Sequence, residues 1–390
     1  MARPDYEVAR EKAGFSWSAS GSQGALREVC AIGIRDFNLD PSACIEAYRK
    51  GRPILREMFE GQVSLPAPAT PAISYGHVNC LGSQLLFPEG GEVAHTHVYG
   101  SLQEGIGALK ESVDFATAGM VPFYLDFLEK MREAFAGEQV GFGFGEEGPI
   151  TTAYELRGDG FFMEVMDAPE LVREFLTAMV RSVLDFHRFA STVRGVPAVN
   201  PTGGGMADDI SSFIPPHLFA DLVLPAWEQY YRGITTGARH AHVEDLRPEQ
   251  LRFLEDIGLV RYDPSISPRL TPQIIARECR VPFVWRLGSF HYTEMTCQEV
   301  EDFVFQSAAD GACGVTTTVA EGMCNTKTVP KVLAFVRAAR EAKEMVDRGA
   351  SSDELRERVS PEGREKLWER WCGYLSPLSS RGGARPGQGA

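Results

Sequence analysis

A chain of 390 residues with 44% hydrophobic and 24% charged residues can bury a large core without disulfides or a structural metal, which excludes wholesale disorder. Its 39 Lys+Arg against 53 Asp+Glu give a formal charge of −14, which repels phosphate backbones and anionic membranes, and Arg181, Arg188 and Arg194 are spread among acidic neighbours rather than gathered in a patch. Nucleic acid and membrane are therefore not expected partners. No apolar segment follows Met1-Ala2-Arg3-Pro4 and no run of about 18 apolar residues occurs, so a cytoplasmic location is expected. The eight cysteines are scattered without C-x-x-C spacing and should be reduced.

The first residues carry helical signals, with apolar spacing over 24–34 and Asp40-Pro41-Ser42 opening a second helix, so 1–70 reads as an N-terminal helical extension. From residue 72 the texture changes to short apolar runs separated by helices. Strand-like runs fall at 72–75, 139–144, 196–200, 236–243, 260–263, 282–286 and 314–319. Helices are signalled by the 3.6-residue spacing of Leu171, Val172, Phe175, Leu176, Met179, Val180 and Val183, and by starts near Arg247-Pro248, Thr271-Pro272, Thr296 and Val329. Strand then helix, repeated, means a parallel sheet, and 71–345 has room for seven or eight such α/β units, which a closed (β/α)8 TIM-type barrel accommodates and an open sheet nearly as well. A charged helical extension, 346–372, and a Ser/Gly/Pro/Arg-rich flexible tail, 373–390, complete the chain.

Active sites of such barrels lie at the C-terminal strand ends, so the polar residues after each apolar run are the candidates. They are His77 and Asn79; Glu146 and Glu147; Asp208 and Asp209; His240, His242 and Glu244; Tyr262 and Asp263; Arg286, His291 and Tyr292; and Glu321 and Cys324. In a strand, residues i and i+2 share a face, so His240-Ala241-His242 puts two imidazoles on one side, as a metal pair requires. The third ligand is either Glu244, continuing the alternation, or a thiolate from another strand end, with Cys324 best placed; two barrel histidines and an inert cysteine are the plain alternative. Gly143-Phe144-Gly145-Glu146-Glu147-Gly148 matches G-x-G-x-x-G, but its two carboxylates would repel a pyrophosphate. His95-Thr96-His97 reads as a surface strand. Arg286 after Trp285 is either an anion clamp or half of an ion pair.

Several segments together resemble the uroporphyrinogen decarboxylase superfamily. Gly148-Pro149-Ile150-Thr151-Thr152-Ala153 with Leu156-Arg157-Gly158 looks like its G-P-F-T-x-A segment; Asp167-Ala168-Pro169-Glu170-Leu171-Val172 resembles the following helix start; and Asp208-Asp209, Ile214-Pro215-Pro216-His217-Leu218-Phe219 and Leu224-Pro225-Ala226-Trp227 are similar to its later motifs. The resemblance covers about residues 70–343 and implies a closed barrel. Its zinc-dependent branch, which moves methyl groups between corrinoids and thiols, holds the metal on H-x-C plus a distant Cys. His240 and His242 fall where H-x-C would be, and Cys324 where the distant Cys would be, with His replacing Cys at 242. The resemblance implies Zn²⁺ on His240, His242 and Cys324, and methyl or alkyl transfer to a thiol or similar nucleophile. Glu146, Asp208 and Arg286 would orient the substrate, and His77, Asn79, Tyr262 and His291 would line its pocket. A corrinoid, if used, must come on a partner protein, and a homodimer is a further expected partner state. The alternatives are a decarboxylase or lyase acting on a small carboxylate or tetrapyrrole-like substrate, and a non-catalytic corrinoid or tetrapyrrole binder. Ser74-Tyr75-Gly76-His77-Val78-Asn79 lacks the arginine with which the decarboxylases hold their substrate.

Overall fold

The computed structural model describes residues 4–371. Two three-stranded parallel sheets form its frame. One holds β1 (Ser16–Gly21), β8 (Gly314–Val319) and β7 (Trp285–Leu287) in the order β1-β8-β7; the other holds β4 (Gly203–Ala207), β5 (Ala238–His242) and β6 (Leu259–Asp263) in that order. A small antiparallel pair, β2 (Leu85–Leu86) with β3 (Ala94–His95), stands apart. Parallel bridges at Ser20–Ser64, Ala69–Gly141, Ile73–Phe144 and Tyr262–Phe283 join the intervening extended segments, and the Gly148 amide donates to the Ala207 carbonyl at 2.6 Å.

The two-residue alternation of the strands decides what faces where. In β4–β6, Met206, Ala241 and Tyr262 are buried on one side, while Gly205, His240 and Arg261 form one row on the other and Ala207, His242 and Asp263 the next. Helices supply the apolar cover. The helix Pro169–Arg194 buries Val172, Phe175, Leu176, Met179, Val180 and Val183 and stops at Gly195, whose φ of 69° is the left-handed turn glycine adopts without a Cβ clash. Helix starts follow the sequence signals: Thr271 caps Pro272–Glu278, Thr296 and Glu299 form a capping box for Cys297–Ala309, and Val329–Asp347 runs from its predicted start.

Two expectations about organisation change. Residues 1–70 are not helical throughout, because Ser16-Trp17-Ser18-Ala19-Ser20-Gly21 is a strand paired with β8 along its whole length. Its alternating serines and small residues carry no apolar run, which is why hydrophobic patterning passes over it. The strand expected at 196–200 lies instead at the glycine-rich β4, and Asn200 makes only an isolated bridge with Thr235. Beyond residue 346, the helices Ser352–Glu357 and Pro361–Trp371 are docked rather than peripheral, with Trp371 fully buried against Trp285, His291 and Phe303. Cys372 and the tail expected at 373–390 lie outside the described residues.

Gly314 tests the seating of β1. A Cβ there would meet the Ser16 carbonyl oxygen at 2.4 Å, a backbone atom that cannot swing aside. Gly314→Ala is expected to cost about 1–3 kcal/mol in denaturant unfolding. Unchanged stability would mean that β1 does not pack where the structure has it.

Candidate active site

The site is built from residues at the C-terminal ends of β4, β5, β6 and β7. His242 closes β5 and Asp263 closes β6, and their register pairing sets them side by side, with His242 Nδ1 3.0 Å from Asp263 Oδ2. Arg286, in β7, donates through Nη2 to the same Asp263 oxygen at 2.6 Å. Burial alone would raise Asp263, yet the His242 hydrogen bond and the Arg286 charge hold it below the usual carboxylate value. An ionised Asp263 is an acceptor only, so Nδ1 carries the proton and Nε2 is turned the other way. There it lies 3.7 Å from Asp209 Oδ1 and 4.0 Å from Glu244 Oε1.

Asp209, His242 and Glu244 each offer a ligand atom, and these atoms all lie within 4.8 Å of one another. The loops that present them are tightly tied. The Glu244 amide donates to Asp209 Oδ1 at 2.7 Å, the Ser265 amide donates to Asp263 Oδ1 at 2.8 Å, and the Ser265 hydroxyl donates to Glu244. Asp245 and Ser265 hold φ of 52° and 50°, the left-handed region that non-glycine residues rarely enter, so each of the two loops flanking the cluster carries a strained residue. Burial raises the carboxyls of Asp209 and Glu244. For His242, burial lowers affinity for the proton, but the hydrogen bond and charge of Asp263 and the charge of Asp209 outweigh it, and the net shift is upward.

Glu147 links this cluster to open space. Burial pushes its carboxyl up to about 7, and the charges of Asp209 and Asp208 add to that. It also lines a cavity of about 710 Å³ at the strand ends, together with Gln23, Ser74, Tyr75 and Glu321. A second cavity of about 450 Å³ lies on the inner face of β4–β6 and is lined by His240, His242, Arg261 and Asp263.

Of the residues expected at the site, the structure brings together His242, Arg286 and Glu244, the alternative third ligand, with the strand-end acids Asp209 and Asp263. His240 sits one row deeper, its Nε2 3.4 Å from where a Cβ on Gly203 would be. Cys324 is elsewhere: its Sγ faces the Ala25 carbonyl at 4.0 Å, and burial together with Glu28 pushes its thiol up to about 12. The expected N,N,S set is thus not assembled, because position 324 follows β8, which pairs with β1 and β7 rather than with β5. Asp208 is fully buried and occupied structurally, accepting from the Thr151 and Ile150 amides at the start of the helix Pro149–Arg157 and from Trp227 Nε1 at 2.5 Å. Glu146 is bound to His187 Nδ1 at 2.8 Å. His77 is a core histidine on Ser182 Oγ, pushed down to about 3 by burial, and Asn79 braces a turn through the Ser83 carbonyl and the Met120 amide. The Tyr262 hydroxyl donates to the Val243 carbonyl on the outer face, and His291 stacks on Trp371. None of these six reaches the cluster. Asp209, Asp263 and Glu147 were legible as strand-end acids, but only the register of β5 against β6 and the loop bond from Glu244 to Asp209 single them out.

No family model matches the sequence, and no curated protein does either. Among solved structures, a methyltransferase from Methanosarcina mazei shares the fold, with a TM-score of 0.59 and 15% identity over 86% of this chain and 96% of that one. At that identity the likeness establishes a shared mixed α/β architecture with parallel sheets. No helix among the described residues is long and apolar enough to cross a membrane.

Two outcomes check the electrostatics. Asp263→Asn removes both upward influences that this carboxylate exerts on His242, so the imidazole should titrate below its wild-type value, read by histidine NMR. Glu147 binds its proton more tightly folded than unfolded, so wild-type stability should fall as pH rises from the unfolded carboxyl value toward 7. Glu147→Gln should therefore melt about 2–4 °C higher than wild type at pH 8 and show no such gain at pH 4.

Proposed function

We propose that the protein is a metal-dependent methyl or alkyl transferase on a closed (β/α)8 barrel, with a divalent ion, zinc first, held by Asp209, His242 and Glu244. Closure is supported by the isolated bridges that carry pairing from β6 to β7 and from β1 through 64–73 to 141–144, and by the Gly148–Ala207 bond back to β4. The observation that carries the metal reading is the arrangement of His242, whose Nδ1 is fixed by Asp263 while Nε2 faces two carboxylates. A carboxylate behind a ligating imidazole is the usual outer shell of a metal histidine, and three ligands with room for a fourth fit a catalytic zinc.

When bound, the ion lowers the pKa of a thiol or similar nucleophile in its open position. The chain's own residues do the rest. Asp263 and Arg286 fix the imidazole, the cavity at the strand ends admits the substrate, and Glu147 holds or releases a proton beside it near neutrality. The methyl or alkyl group passes to the nucleophile's electron pair as its bond to the donor breaks. The resemblance to corrinoid-linked enzymes makes methylcobalamin, or a corrinoid on a partner protein, the first donor to offer. One observation favours a second reading. The oxygen-rich ligand set is harder than the N,N,S set, and a carboxyl near 7 is suited to protonating a carbanion, as a decarboxylase or lyase needs.

Protein purified without chelator should carry about one zinc per chain. Asp209→Asn with Glu244→Gln should lower that occupancy at least about tenfold, whereas Cys324→Ala should leave it intact. Loss of zinc in Cys324→Ala, or full zinc in the double variant, would move the metal elsewhere. Methylation of a thiol by methylcobalamin, abolished in the double variant, supports transfer. Release of CO2 from small carboxylates, with loss on Glu147→Gln and no methylated thiol, establishes the lyase instead.

A further inference from the structure

The strand row beneath the candidate metal cluster has its own chemistry. Gly205, His240 and Arg261 lie in register across β4–β6, about 6–7 Å below the row of Ala207, His242 and Asp263 at the two-residue repeat of a strand. A Cβ on Gly205 would meet nothing within 4 Å, and Arg261 is exposed although it stands on the inner face of a sheet. Barrels of this kind usually fill that space with layers of Val, Ile and Leu. Here the neighbouring inner positions are polar too: Thr316 pairs with Arg286 on one side and Ser18 on the other, and its buried hydroxyl oxygen has no hydrogen-bond partner.

His240 and Arg261 line two cavities at once, the upper one shared with His242 and a lower one of about 390 Å³. The lower cavity opens among the N-terminal ends of the strands, at Ser16, Val260 and Cys313, and is covered by the helix Tyr6–Ala13, which contributes Lys12. Among the described residues, no carboxylate lines it. Neither Arg261 nor Lys12 has an ion-pair partner among the described residues. In a chain carrying −14, two cations and an imidazole around one cavity, without a counter-charge, are a concentration of positive potential that low-dielectric walls focus rather than disperse.

We propose that this lower cavity is a binding site for a small oxyanion, a phosphate or carboxylate that enters from the N-terminal face of the strands and is held by Arg261, Lys12 and the His240 imidazole. The planar guanidinium offers paired N–H donors to two oxygens of the anion, Lys12 adds a point charge from the covering helix, and His240 supplies a further N–H at the top of the cavity. The site is independent of the transfer reaction, being one strand row away from the metal cluster and reached from the opposite end.

The test is calorimetric titration of inorganic phosphate into the full chain, with thermal melting alongside. One phosphate should bind per chain and raise the melting temperature. Arg261→Gln should weaken binding about tenfold or more, Lys12→Gln, on an exposed helix that tolerates it, by about threefold, and Arg261→Lys should restore part of the affinity. Asp209→Asn should bind phosphate as wild type does, which separates this site from the metal cluster. Binding by Arg261→Gln and Lys12→Gln equal to wild type, or no binding and no melting shift at about 10 mM phosphate, overturns the proposal.

Discussion

The double hydrogen bond accepted by Asp263 is the interaction on which the site depends. One carboxylate oxygen takes His242 from β5 and Arg286 from β7, while the other takes the Ser265 amide and so sets the turn of the loop after β6. That turn delivers the Ser265 hydroxyl to Glu244, and the Glu244 amide in turn holds Asp209. Three strand ends and the two loops are therefore tied to one half-buried charge. The arrangement stays charged because each partner stabilises the ionised form of the next: Arg286 and His242 hold Asp263 as a carboxylate, and Asp263 raises the proton affinity of His242. Removing the carboxylate would leave Arg286 without this ion pair and the imidazole free to rotate, so its role is positional as well as electrostatic.

The inner and outer faces of the strands divide stability from chemistry. Outside, Met206, Tyr262 and Trp285 are buried beneath helices, and Arg239 is paired there with Glu228 over the Tyr231 ring. Inside, glycines and alanine in β4, serines in β1 and threonines in β8 leave space and polar atoms in place of aliphatic packing. A strand face lined this way forgoes the dispersion contacts of an aliphatic one, and the apolar burial lies instead under the helices and around the docked Trp371. Room for ligands is gained where the core of a barrel would otherwise sit.

How much of this the sequence disclosed follows from what each signal encodes. Helices announced themselves by apolar period and by caps such as Thr271 and Thr296, because those signals are local. The strands of the second half are legible as apolar runs, whereas β1 and β4, mostly Ser, Gly and Ala with a single large apolar residue each, Trp17 and Met206, carry no such run. For the site, alternation correctly put His240 and His242 on one face. It did not say that the rise of a strand separates them into different rows, nor that Asp263 would pair with one and Arg261 with the other. Cys324 was assigned by motif position, and motif position does not encode which strand end its loop turns toward.

Charge balance explains why a cation suits the upper row. Asp209, Glu244, Asp263 and Glu147 converge there against His242 and Arg286, four carboxylates to two cations. Only Asp263, which touches both His242 and Arg286, has its carboxyl lowered; the other three are raised, first by burial and then by a neighbouring carboxylate, Asp263 for Asp209 and Asp209 for Glu147 and Glu244. A group of half-buried acids resolves such an excess in two ways, by retaining protons or by binding a positive ion, and the two compete. An ion of charge two at His242 Nε2 would displace the retained protons, restoring Asp209 and Glu244 to the ionised form in which they act as ligands. Glu147, farther out on the cavity wall, then remains the member of the set with a proton to exchange with substrate.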